Sequence, residues 1–477
     1  MEHVDVLIVG AGLSGIGAAY RLRTRCPDLS YAILEGRDAI GGTWDLFRYP
    51  GIRSDSDMYT LGYPFRPWRG EKSIADGEDI LRYVRATAAE NGIDKRIRFG
   101  HKVTEASWST EQARWTVRVR TADGITEWTC SFLYLCSGYY SYESGYLPEI
   151  TGLDDFSGTV VHPQFWPDGL DWHDKKIVVI GSGATAMTLV PALAERAAHV
   201  TMLQRSPSYV MSLPARDPLA RGLHRYLPGA VAHRAVRAKN VMTNLGFYQF
   251  CRRAPLLAKR VLHVLTERQL RDDLHVDPHF TPSYDPWDQR LCVVPDSDLF
   301  RTLRAGTAEV VTAHIDTVTE KGVRLCSGTE LEADILIPAT GLRLVPAGGI
   351  SITVDGEPVD LSTKIIYRGT MLDGVPNAAL CIGYTNASWT LRADLASLYV
   401  CRLLGYMRRK GYRIAVPSYT GNGERRPLLG LNAGYIHRAE KSLPAQGSRS
   451  PWLMRQNYLL DLPAMRLGRV TRSMHFE

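Results

Sequence analysis

The sequence predicts an α/β fold of two Rossmann-like, three-layer dinucleotide-binding domains, one inserted in the other, with a helical insertion. Two observations carry that expectation. A glycine-rich strand–turn–helix unit occurs twice, and the residues closing the strand after each copy differ. The first copy, Asp5-Val-Leu-Ile-Val-Gly-Ala-Gly-Leu-Ser-Gly15, is an apolar strand entering GxGxxG and then the small apolar run 16–22. The second, Lys176-Ile-Val-Val-Ile-Gly-Ser-Gly-Ala-Thr-Ala186, enters GxGxxA and continues through Leu189, Val190 and Leu193. In each copy Gly10 or Gly181 permits a tight turn, and Gly12 or Gly183 lets backbone approach a pyrophosphate. Gly15 or Ala186 then lets the helix pack on the strand. The helix start offers free N–H groups and a positive dipole end to phosphate oxygens. One glycine loop is a common pattern; two, each between a clean strand and a clean helix, are specific. Ser14, Ser182 and Thr185 lie inside the loops and join the candidate cofactor contacts.

The next strand separates the two sites. Tyr31-Ala-Ile-Leu-Glu35 ends in a carboxylate 25 positions beyond Gly10, suited to ribose hydroxyls. His199-Val-Thr-Met-Leu-Gln-Arg-Ser206 ends in Arg205 and Ser206, with Arg205 24 positions beyond Gly181. Guanidinium pairs with phosphate in bidentate fashion, so this end suits a 2′-phosphate. The first site is expected to take FAD and the second NADPH. Two further apolar strands that end at glycine, 132–138 and 334–341, are expected to belong to the FAD unit. The chain then divides into 1–150 (first FAD part), 151–212 with 285–330 (NADPH domain), 213–284 (helical insertion or cap) and 331–477 (second FAD part and C-terminal arm).

A length of 477 residues, 45% apolar and 22% charged, fits two or three globular domains without bulk disorder. The eight cysteines are scattered with no CxxC or CxxxxC pair, which disfavours a disulfide reductase and fits a reducing compartment. The strand pattern begins at Val4, leaving no room for a secretory leader, and no stretch suits a bilayer span, so a cytoplasmic protein is expected. The net charge of +7 is local. Between Arg216 and Arg271 twelve Arg or Lys face only Asp217 and Glu267, a patch of +10 that leaves −3 elsewhere.

Five further segments carry a family likeness. They are Gly41-Gly-Thr-Trp44 with Arg48-Tyr-Pro-Gly-Ile-Arg-Ser-Asp55, the stretch Phe156-Ser-Gly-Thr-Val-Val-His162-Pro-Gln-Phe-Trp166-Pro-Asp168, and Pro286-Trp-Asp-Gln-Arg-Leu291 with Gly383-Tyr-Thr-Asn-Ala-Ser-Trp389. In these the chain resembles the Baeyer–Villiger class of flavin monooxygenases, most closely the ethionamide-activating, ketone-oxidising monooxygenases of actinobacteria. The stretch 156–168 fits the class fingerprint FxGxxxHxxxWP/D. The resemblance implies that NADPH reduces FAD, that reduced flavin traps oxygen as a flavin peroxide, and that this attacks a ketone to give an ester or lactone. Sulfides and thioamides are implied side substrates. It also implies that Arg290 stabilises developing negative charge, that Asp55 pairs with and orients it, and that Gly42, Thr43, Trp44, Arg53, Asp55 and Val103 contact cofactor. Many relatives carry a lysine before the arginine; Gln289 stands here, which leaves Arg205 and Ser206 as the main discriminators of NADPH.

Position alone does not make His162 or Trp166 catalytic; a structural hydrogen bond is the expectation for His162. His275, Asp277 and His279 are interrupted by Pro278, and no metal is expected. The insertion reads as helical, with Leu257, Val261, Val264 and Leu265 on one face and Lys259 and His263 on the other. A cap over the substrate pocket with a basic outer face is expected. That face would steer NADPH, leaves contact with an anionic membrane open, and lacks the stacking array that nucleic-acid binding requires. Two rival functions stay open: oxygenation of nitrogen or sulfur by an electrophilic flavin hydroperoxide, and nucleotide-dependent regulation without turnover.

Overall fold

The computed structural model describes residues 2–270, 274–421 and 423–477. Strand β1 (Glu2–Val9) lies inside a nine-stranded sheet. Val6, Leu7, Ile8 and Val9 are all buried, as a parallel strand covered on both faces requires. The chain turns at Gly10, whose φ of +103° favours glycine, into α1 (Leu13–Arg25). β2 (Tyr31–Leu34) pairs parallel with β1, from Val6–Tyr31 to Val9–Leu34. An antiparallel meander of β3 (Lys102–Ser109), β4 (Arg114–Thr121) and β5 (Gly124–Leu135) follows, and β5 pairs parallel with the other edge of β1.

The second unit repeats the opening design. β6 (Lys176–Ile180) turns at Gly181, with φ +137°, into α2 (Ala184–Leu193) and then β7 (His199–Gln204). The helical insertion comes next: α3 (Pro218–Tyr226), α4 (Gly229–Arg253) and α5 (Pro255–Glu267). β8 (Ala308–Thr312) and β9 (Ile335–Pro338) complete an all-parallel sheet in the order β8–β7–β6–β9, edged by Thr159–Val160 of the fingerprint stretch.

One expectation is corrected by this pairing. The strand in 334–341 was expected in the FAD unit, but Ile335–Pro338 pairs with Ile177–Ile180 of β6 in the second sheet. An apolar tetrapeptide before a glycine suits any buried parallel strand, so the pattern does not choose the sheet. The chain re-enters the first sheet through Ser351–Val354 on β3 and then β10 (Ala378–Leu380) on β5. Residues 331–341, expected to open the second FAD part, belong with the second unit.

The insertion brings a second correction. Leu257, Val261, Val264 and Leu265 do share a face of α5, but that face is turned to solvent. The inward stripe is Ala258, Leu262 and Thr266. Ala258 and Thr266 let the helix seat closely around Leu262, and the other large apolar side chains are left outside. Among the described residues no helix is long and apolar enough to cross a membrane.

The FAD unit is closed by α6 (Trp389–Lys410), which packs on α1. Between them Arg21 donates from Nε and Nη2 to the two oxygens of Asp394 at 2.7 and 3.1 Å, both side chains being buried. A buried pair is costly to break from one side, because the remaining charge is stranded. Asp394→Ala is expected to destabilise the protein by about 3–5 kcal/mol, and joint replacement of Arg21 and Asp394 by Met and Leu by much less. Urea unfolding followed by tryptophan fluorescence checks the ordering.

Candidate active site

The two glycine turns open on one cavity of about 1420 Å³, larger than the roughly 300–1,000 Å³ typical of a single small ligand. Every site residue expected from the sequence lines it except Gly15 and Ala186. Those two are packing positions: a Cβ on Gly15 would sit 1.9 Å from the Gly10 carbonyl oxygen, and Ala186 is fully buried. Neither α1 nor α2 has a side-chain cap or an acidic residue in its first turn. Their leading N–H groups therefore have no protein acceptor competing for them, which is the donor chemistry a pyrophosphate needs. A Cβ on Gly183 would meet nothing within 4 Å, so the cavity reaches the backbone there.

The strand ends differ as their sequences do. Glu35 is buried, accepting from the Ala11 amide at 2.6 Å and the Arg37 amide at 3.0 Å. Burial raises its pKa, only partly offset by these amides and by Arg37. Below it, buried Asp45 pairs with Arg37 and, at 2.8 Å, with Arg85, fixing the loop that carries Gly42, Thr43 and Trp44. Arg205 is exposed at the rim of the cavity and has no ion-pair partner among the described residues. Ser182 Oγ donates to the Ser206 carbonyl at 2.8 Å, tying the second glycine loop to that strand end.

Between the two turns Arg290 Nε lies 3.7 Å from Asp55 Oδ2. Asp288 does not compete for Arg290; it accepts from Arg252 of α4 at 2.5 Å, while Lys259 of α5 holds Asp285 at 2.8 Å. Burial raises the pKa of Asp55, and Arg290 and Arg53 act against it. For Arg290 burial disfavours the charge, but Asp55, Tyr140, Tyr435 and Tyr139 outweigh it and the net shift is upward. Arg53 is turned toward Asp298, at 2.5 Å from Nη1 to Oδ2.

Several cavity residues were not foreseen. Tyr139 and Tyr140 follow the strand-end Gly138 directly, so their position was legible although their role was not. Tyr435 and Arg438 come from the short helix Gly434–Ala439 of the C-terminal arm, a region without any motif. Asp298, outside the cavity lining, opens the helix Asp298–Ala305, and only the fold brings it to the cavity residue Arg53.

The expected cap is corrected: among the described residues, none of 213–284 lines this cavity. The insertion instead braces the loop of Arg290 from behind, through Arg252 and Lys259. His162 makes a structural bond, its Nδ1 accepting from the Gln164 amide at 3.2 Å, and Gln164 Nε2 donates to the Ser141 carbonyl at 2.7 Å. His279 Nδ1 pairs with Thr312 Oγ1 at 2.9 Å.

The family described as Flavin-binding monooxygenase-like has a model that matches residues 71–345, more than half of the chain. The chain belongs to that family. The NAD(P)-binding Rossmann-like domain matches over residues 8–73. This flavin-binding monooxygenase is similar to FAD-containing monooxygenase EthA of Mycobacterium tuberculosis, 55% identical over 471 residues that cover 98% of this chain and 96% of the relative. In fold it resembles ε-caprolactone-bound cyclohexanone monooxygenase, with a TM-score of 0.78 at 20% identity over 100% of both chains. It equally resembles oxidised steroid monooxygenase bound to NADP, with a TM-score of 0.78 at 24% identity over 99% of both.

The expectation from the sequence that Glu35 holds ribose hydroxyls of FAD, taken with its burial, predicts a pH dependence of flavin retention in this monooxygenase. An ionised carboxylate offers acceptors to ribose hydroxyls, and protonation removes them. Because burial raises the pKa, that loss begins at a higher pH than for an ordinary glutamate at 4.5. Flavin affinity, measured by fluorescence titration at falling pH, is expected to begin to drop above that value. Glu35→Gln is expected to weaken flavin binding about tenfold or more and to remove this titration.

Proposed function

We propose that this chain is an FAD- and NADPH-dependent Baeyer–Villiger monooxygenase that inserts one atom of O2 beside a ketone carbonyl and releases an ester or lactone. Sulfides and thioamides are secondary substrates that take the oxygen at sulfur. The observation that carries this reading is the Asp55–Arg290 pair in a cavity bordered by both glycine turns. The named chemistries of the two solved structures that share the fold support it.

When bound and reduced by NADPH, FAD supplies the activated oxygen. The chain's own residues bind, orient and stabilise. Glu35 holds ribose hydroxyls of FAD, and the leading amides of α1 hold its phosphates. Arg205 and Ser206 hold the 2′-phosphate of NADPH. Gln289 adds no second cation, so the discrimination falls on Arg205.

Arg290 is the fixed cation. A guanidinium stays protonated at every working pH, and the neighbouring Asp55 carboxylate favours that charge, so no proton is lost as negative charge develops on the substrate. Asp55 positions it: its own raised pKa is held in check by that same guanidinium. Tyr435 and Arg438 of the C-terminal arm form part of the cavity wall.

Arg290→Ala is expected to lower ester formation about 10²-fold or more while NADPH still bleaches the flavin at a near-normal rate. Product mass from a ketone panel, read beside stopped-flow absorbance, decides. Ketone conversion that survives this change favours oxygenation of nitrogen or sulfur by an electrophilic oxidant, which needs no such cation. Arg205→Ala is expected to lower kcat/KM for NADPH about tenfold or more with little change for NADH.

A further inference from the structure

The described chain exposes twenty large apolar side chains, and eleven of them fall within residues 213–265. Nine of those eleven lie on the three helices that also carry the basic patch. The apolar exposure is most concentrated on α5, where Leu256 and Leu257 are 73% and 52% exposed and Val261, Val264 and Leu265 follow one and two turns on. Arg253, Arg260 and Arg268 are exposed beside them and have no ion-pair partner among the described residues. The cations directed into the protein are, by contrast, satisfied. Lys239 pairs with Asp217, Arg252 with Asp288 and Lys259 with Asp285, and buried Arg237 donates to the carbonyls of Tyr59 and Gly62 at 2.6 and 2.9 Å.

This sorting is informative. A solvated positive surface that only steers a nucleotide needs no leucines, and a nucleic-acid face would set aromatic or polar groups between its cations. A protein-docking face is depleted of charge at its core, whereas here unpaired arginines are interleaved with the apolar stripe. An amphipathic helix lying in a bilayer surface requires both features together: apolar side chains that enter the acyl boundary, and arginines whose stems lie along it while their heads meet lipid phosphates. We propose that the outward face of α5, with the flanking basic helices α3 and α4, docks this enzyme on the surface of an anionic lipid bilayer.

The proposal is independent of which substrate is oxidised, and it is tested on the flavin-loaded full-length protein. Co-sedimentation with phosphatidylcholine vesicles and with vesicles that also contain phosphatidylglycerol is the measurement. Binding is expected only to the second and is expected to weaken with salt. Joint Leu257→Gln and Leu265→Gln substitution is expected to lower the vesicle-bound fraction about tenfold or more, with flavin content and NADPH oxidation retained. Joint Arg253→Glu and Arg260→Glu substitution, at exposed positions outside the fold's core, is expected to do the same by the other route. Absence of binding to the anionic vesicles overturns the proposal. So does binding that is unchanged by the leucine substitutions, because charge alone would then account for it. A dimer in gel filtration that the leucine substitutions dissociate, without any vesicle binding, would reassign the face to self-association.

Discussion

Two charge pairs fasten the nucleotide units to one another, and both start from one short segment of the first. Arg53 reaches Asp298 at 2.5 Å and Asp55 reaches Arg290 at 3.7 Å, so the first unit supplies one cation and one anion and the second supplies their complements. Three of the four side chains are largely buried. A charge removed from water needs its partner, and in the Arg53–Asp298 pair removing either member leaves the other stranded at a cost of about 3–5 kcal/mol. The relative placement of the two glycine turns, and of everything bound between them, follows from that mutual requirement. The crossed arrangement also fixes Arg290: a register error in one unit would misplace both pairs at once.

The residues that were legible in the sequence are those whose chemistry is local. Gly10 and Gly181 announce a turn because the backbone there adopts a conformation other residues resist, and both strand-end groups, Glu35 and Arg205, stand where a fixed offset puts them. What could not be read depends on contacts between distant segments. The strand Ile335–Pro338 looks the same in either sheet, and only its pairing with β6 decides. Asp298 lies 245 residues beyond Arg53, and Tyr435 comes from an arm with no periodicity or motif to mark it. The helix α5 shows the limit of amphipathic pattern: the stripe was correct, but a pattern gives two faces without saying which one the protein keeps.

The helical insertion joins two roles through one element. Lys259 on its inward side holds Asp285 at the start of the loop that ends in Arg290, while Leu256, Leu257 and Leu265 of the same helix look outward. The outer surface of the molecule and the guanidinium in its cavity are thus separated by a single ion pair and a few residues of chain.

The chain passes between the units twice, and the two crossings lie side by side. Tyr140 bridges Leu344 in antiparallel fashion, Ser141 donates its amide to the Arg343 carbonyl at 2.8 Å, and Val345 donates to the Tyr139 carbonyl at 2.8 Å. Two separate tethers would let the inserted unit swing and twist freely; zipped together they form one flat ribbon. A ribbon bends more easily about its broad face than within its plane, so the paired crossings favour one axis for any relative movement of the units. Tyr139 and Tyr140, which neighbour the Arg290 guanidinium, are themselves part of that ribbon.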